Sequence, residues 1–150
     1  MDADAAKWLT DAGKSGVFHL TADPRELAEA AAAAGLAVYR LDIGHAHDKG
    51  DFLRHVSQAM KFPATFGNNW DAFADCMKDL SWADAPDNKG WVIILEKSKH
   101  FCAGHHHAFA EAMDTMAEAA AFWKTQGKPL WTLIGGPDGW ISGWENMPAV

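Results

Sequence analysis

Trp91-Val92-Ile93-Ile94-Leu95 is a near-continuous apolar run, preceded by the turn-forming stretch Asp84-Ala85-Pro86-Asp87-Asn88-Lys89-Gly90. A strand with one wet face alternates apolar and polar residues, whereas a strand covered on both faces need not, so this run predicts the central strand of a parallel sheet. Working outward, residues 16–20, 37–43 and 130–134 read as three more strands. Helical patterns lie between them. Thr21-Ala22-Asp23-Pro24-Arg25-Glu26 supplies a capping signal for an alanine-rich helix over 24–34, which Gly35 stops. Residues 49–61 form an amphipathic helix with Phe52, Leu53, Val56 and Met60 on one face, and Pro63 ends it. Asn68 or Asn69 caps a third helix, and a long alanine-rich helix runs from about 105 to 126, stopped by Gly127. Strands alternating with helices predict an α/β fold: a small parallel sheet of three to four strands with helices packed around it. Residues 1–12 read as an extra helix, and the tail from Gly135 has no clear periodicity.

The chain has 150 residues and 49% hydrophobic composition, enough for one core and one domain. Thirteen basic and twenty acidic residues give a formal net charge of -7. Such a field repels phosphate backbones and anionic lipid and steers basic partners inward, so neither direct nucleic-acid binding nor membrane attachment is expected. The opening Met1-Asp2-Ala3-Asp4-Ala5-Ala6-Lys7 lacks a secretory pattern, and no apolar stretch approaches the roughly 20 residues of a membrane span. A cytoplasmic protein is expected. The two cysteines, Cys76 and Cys102, each sit in a partly apolar helical stretch and are expected as buried free thiols, with no CxxC pattern to suggest metal or redox chemistry.

The third helix carries Asp71, Asp75 and Asp79 at i, i+4 and i+8, between Trp70 and Trp82. Like charges one turn apart cost an isolated helix a few tenths of a kcal/mol per pair, a cost that an oppositely charged partner would offset. On the other side, Trp70, Phe73, Ala74 and Met77 are expected as a buried stripe. Asp71 lies in the first turn, where the helix dipole alone favours an acid. That argument does not reach Asp75, which is mid-helix, and Asp79 also fits an ordinary surface charge. Gly67 fits either a left-handed turn or the close approach of a partner.

The segment Phe66-Gly67-Asn68-Asn69-Trp70-Asp71-Ala72-Phe73-Ala74-Asp75-Cys76-Met77 resembles the barstar family of intracellular ribonuclease inhibitors, through the pattern aromatic-Gly-x-Asn-x-Asp-Ala-x-x-Asp-Cys-hydrophobic. The order of the surrounding elements agrees, and the resemblance covers residues 37–134. Residues 1–36 then read as an N-terminal extension with one further strand and helix, and 135–150 as a tail. The resemblance implies an immunity protein or antitoxin without catalysis or cofactor, which plugs the active site of a basic ribonuclease or nuclease toxin. It places Asp75 in the nuclease's phosphate site and Asp71 at a second contact, with Gly67 and Asn69 shaping the approach. Thr65 and Phe66 stand where the founding member has two tyrosines, Ala74 stands where it has a tryptophan, and its third acidic contact falls near Phe122. Asp79 and Trp82 are further candidate contacts. Asp71 and Asp75, about 6 Å apart on one helix face, have close to the spacing of adjacent phosphates.

A competing constellation is histidine-rich: His45 and His47 after the second strand, then His100, Cys102, His105, His106 and His107. Imidazole and thiolate suit zinc, nickel or copper, so a metal-binding module is one alternative. Consecutive helical histidines point about 100° apart, however, and cannot all reach one ion. A second alternative is a non-nuclease interaction or regulatory domain on the same fold. A hydrolase fits poorly: the acids around Cys76 blunt it as a nucleophile, and Gly135-Gly136-Pro137-Asp138-Gly139 has no helix pattern behind it to cradle a phosphate.

Overall fold

Three helices start where a short polar side chain accepts from a backbone N–H that the helix itself leaves unpaired. Asp23 accepts from Arg25 (2.8 Å) and Glu26 (3.4 Å) and opens α1, Pro24–Ala33. Asp48 accepts from Asp51 at 2.8 Å and opens α2, Lys49–Met60. Asn69 accepts from Ala72 at 2.8 Å and opens α3, Trp70–Asp79. Gly35 ends α1 in the left-handed region (φ 91°), whereas α2 ends on a left-handed Lys61 two residues before Pro63. The computed structural model describes residues 7–63, 67, 69–80 and 89–148.

Four strands, β1 Val17–His19, β2 Ala37–Asp42, β3 Trp91–Glu96 and β4 Leu130–Ile134, form one parallel sheet in the order β1-β4-β3-β2. The apolar run of β3 is internal, as its composition predicts, and all five residues of β4 are buried beside it. β1 pairs with β4 in register Phe18↔Leu133, so the first strand belongs to the same sheet. The tail then runs beside β1. His19 donates its N–H to Glu145 O at 2.6 Å, Met147 donates to His19 O at 2.9 Å, and Met147 is buried.

Alternation along the strands divides the core in two. Trp91, Ile93 and Leu95 of β3 face Phe52 and Val56 of α2, Phe73 and Met77 of α3, and the helices that follow β3. Val92 and Ile94, with Trp131 and Leu133 of β4, face Leu27 and Ala31 of α1, together with Trp8, Leu9 and Met147. The connection after β1 thus packs on one face and those after β2 and β3 on the other.

A short helix not expected from the sequence, α4 Lys99–Gly104, precedes the long one expected from about residue 105 to 126, which is α5 His106–Thr125; a non-helical His105 (φ -138°, ψ 50°) separates them. Buried Ser98, whose Oγ donates to Leu95 O at 2.7 Å, turns the chain straight off β3 into α4. Phe101 anchors that turn, stacked on Phe52 at 5.3 Å and edge-on to Phe109 at 6.1 Å. The polar Lys99 and His100 hid this helix from a periodicity argument. Residues 81–88, which include most of the turn before β3, lie outside the described residues. At the turn's end, Gly90 (φ 151°) is required, because a Cβ there would come within 2.5 Å of Pro129 O.

Candidate functional site

α3 is short, so its rigidity comes from its ends and its buried face. Phe73 and Met77 have no exposure, and Leu80, in the left-handed conformation that terminates the helix, is buried behind them. Near the C-terminal end, Trp123 of α5 donates its indole Nε1–H to Met77 O at 2.8 Å, tying α3 to α5. At the N-terminal end, Trp70 packs 6.3 Å from Phe52 and 6.1 Å from Phe73 between ring centroids, with Lys49 Nζ 5.4 Å above its ring. The stripe is narrower than the sequence suggests: Trp70 and Ala74 are half-buried, not buried, because α3 packs chiefly through Phe73, Met77 and Leu80.

Opposite that stripe, Asn69, Asp71, Asp75 and Asp79 are exposed. The structure therefore brings the three aspartates onto one open face. Neither Asp71 nor Asp75 makes a hydrogen bond or ion pair among the described residues. Gly67 is exposed ahead of the helix, and a Cβ there would meet the Asn69 amide nitrogen at 3.1 Å; that amide also donates to Gly67 O at 3.3 Å. The close approach at Gly67 is thus to the helix's own cap. Thr65, Phe66 and Trp82 lie outside the described residues.

Cys76 and Cys102 are thiols outside any disulfide and are half-buried, less enclosed than expected. Burial raises both thiols above the ordinary range, and at Cys76 the carboxylates of Asp75 and Asp79 push further in the same direction. This gives a local probe of the acidic face. Asp75→Asn should lower the Cys76 thiol pKa and speed its alkylation by iodoacetamide at mildly alkaline pH. Cys102, raised by burial alone, serves as the internal reference, and an unchanged Cys76-to-Cys102 rate ratio would contradict the electrostatic coupling.

The histidines do not converge. His47 and His100 meet edge to face at 5.5 Å, His107 pairs with Glu111 at 3.2 Å, and His105 packs on Phe101 at 5.9 Å. Among the described residues no group of three His, Cys, Asp or Glu side chains is placed to hold a metal ion. No sequence motif marks Trp123 as the residue that holds α3, although it continues the buried α5 stripe of Phe109, Met113, Met116 and Ala120 at helical spacing.

Fold and face together define a small parallel α/β domain presenting a rigid acidic helix to solvent. The chain belongs to the barstar family: residues 36–135 match the family described as Barstar (barnase inhibitor), a span that contains the whole of α3. No curated protein matches the sequence. Among solved structures, the ORC2 protein of Aeropyrum pernix is similar in its ADPNP-ADP complexes (TM-score 0.57, 16% identity) and in its ADP form (TM-score 0.57, 15% identity). These likenesses cover 91% of this chain but 39% and 40% of those chains, so this protein spans about two-fifths of their length. At such identity they show a shared fold. No helix among the described residues is long and apolar enough to cross a membrane.

Proposed function

We propose that this protein inhibits a basic nuclease by docking α3 and the loop before it into the enzyme's active site. A nuclease that cleaves RNA surrounds the scissile phosphate with cationic side chains, and carboxylates held on a rigid helix satisfy those cations without offering a bond to break. Asp75 is the central contact and Asp71 the second; Gly67 and Asn69 shape the approach, and Thr65, Phe66, Asp79 and Trp82 form its surroundings. The observation that carries this reading is the pair of exposed carboxylates on α3 with no partner in the described structure. An exposed row of like charges is tolerable in the free protein and favourable in a complex.

The same reading makes the protein a non-catalytic immunity partner, acting in the cytoplasm of a cell that makes the nuclease. Its net charge of -7 would accelerate capture of a basic enzyme. Residues outside the family's span serve as parts of one folding unit in this proposal, since β1 and the tail complete the sheet edge and the second half of the core. The direct test mixes the purified protein with a small basic ribonuclease encoded beside it. Stoichiometric protein should abolish RNA cleavage, and undiminished cleavage at equimolar protein would refute the proposal.

A further inference from the structure

A cleft of about 1360 Å³ opens over the carboxyl ends of all four strands, away from the acidic helix. Leu20 after β1, Gly44 after β2, Glu96 and Lys97 at the end of β3, and Gly135 after β4 all line it. In open parallel sheets such crevices form where successive connections leave toward opposite faces. Here β1 leads into α1 on one face and β3 into α4 on the other. The volume exceeds the roughly 300–1,000 Å³ of ordinary small-molecule sites, so a nucleotide-sized ligand would enter with water around it.

The lining charges decide what it would take. The N-terminus of α1 borders the cleft, but the Asp23 carboxylate already accepts from its first N–H groups, so the position where a phosphate meets a helix end in other folds carries a negative charge. Glu96 is held by both arms of the Arg40 guanidinium, at 2.8 and 2.9 Å, and Lys97 by Asp42 at 3.1 Å. Lys99 makes no ion pair or hydrogen bond among the described residues; it is exposed, as are the neighbouring His100 of α4 and His45 after β2. Along this wall the Lys99 ammonium and the ring N–H groups of the two imidazoles offer hydrogen-bond donors to an anion.

The remaining wall is different in kind. Pro137, Trp140 and Ile141 come from the loop after β4; Trp140 lies so close over Gly136 that any Cβ there would collide with its ring, and it packs 5.7 Å from His19. Ile141 is 81% exposed, which leaves an apolar surface open to the cleft. Asp138 on the same loop, also exposed, supplies an acceptor for hydroxyl or amino groups. We propose that the cleft binds a small aromatic anion of nucleotide size. Its phosphate or carboxylate sits on Lys99, His100 and His45, and its ring lies on Trp140 and Ile141.

Calorimetric titration of the full chain with AMP tests this, with adenosine and inorganic phosphate alone as the two half-ligands. Saturable one-to-one binding of AMP is expected, roughly tenfold or more tighter than either half. Lys99→Glu, at an exposed position that leaves the core untouched, should weaken it by a similar factor, and Trp140→Leu should weaken it while retaining a wild-type unfolding transition. Asp75→Ala should bind AMP like wild type. Absence of saturable binding, equal affinity in Lys99→Glu, or loss of binding in Asp75→Ala would overturn the assignment.

Discussion

Asp75→Ala should weaken the complex with the cognate nuclease by several kcal/mol, the scale for truncating a fully desolvated interfacial charge and one set in part by the family's founding member. The free protein should lose almost nothing. Asp75 is exposed, makes no ion pair or hydrogen bond among the described residues and sits mid-helix, so removing it deletes no internal interaction and relieves repulsion from Asp71 and Asp79. Affinity and stability should therefore move apart, which separates a contact from a structural role. Asp71→Ala should show a mixed effect, because Asp71 also lies in the first turn of α3, where an acid is worth about 0.3–1 kcal/mol against the dipole. The readout is the dissociation constant of each variant beside its denaturant midpoint. If Asp75→Ala binds as tightly as wild type, Asp75 is outside the interface.

The size of that effect depends on how firmly α3 is held. A carboxylate on a fraying helix would have to be ordered at the moment of binding, and that ordering subtracts from affinity. Asn69 closes one end of α3, left-handed Leu80 closes the other, and the Trp123 indole grips the Met77 carbonyl from α5. The acidic face is therefore organised before any partner arrives. This links the sequence to the proposed function: the residues that cap and bury the helix are also those that aim the aspartates.

How much of this was legible in the chain follows from which signals are local. The strands were readable because a run such as Trp91–Glu96 has few other uses, and the helix over 70–79 because an asparagine cap, an apolar stripe and a row of acids coincide. The short helix 99–104 was not, since it depends on Phe101 seating against Phe52, which is distant in sequence, and Phe109, which lies in the next helix. Tryptophan spacing cannot distinguish a buried ring from one on a rim, and Trp70, expected in the core, lies half-buried beneath Lys49. The cleft was invisible for a deeper reason. Its lining comes from the ends of four strands and their following loops, and no single stretch of sequence carries its pattern.

Trp131→Ala should cost roughly 3–5 kcal/mol of stability, the range for deleting a large buried ring without full collapse of the space it leaves. Trp131 lies inside the span matched to the family but makes its contacts largely outside that span: its ring meets Trp8 edge-on at 5.1 Å and Phe18 at 5.6 Å, and its Nε1–H donates to Leu9 O at 2.8 Å. Alanine would open a void between the sheet and the N-terminal segment and leave the Leu9 carbonyl without its donor. For a chain of this size the loss corresponds to a fall of roughly 6–20 °C in Tm. If residues before β2 and the rest of the sheet form one folding unit, calorimetry should show a single transition moved downward as a whole. Trp131→Phe, which keeps a ring against Trp8 but removes the N–H, should cost about 1–2 kcal/mol and remain folded, so the argument survives even if alanine is too severe. A loss below about 1 kcal/mol for alanine, or a second transition appearing while the main one stays in place, would mean that the N-terminal segment is an appendage. In that event the acidic helix would stand on the other face's core alone, that of Phe52, Phe73, Met77 and Phe101.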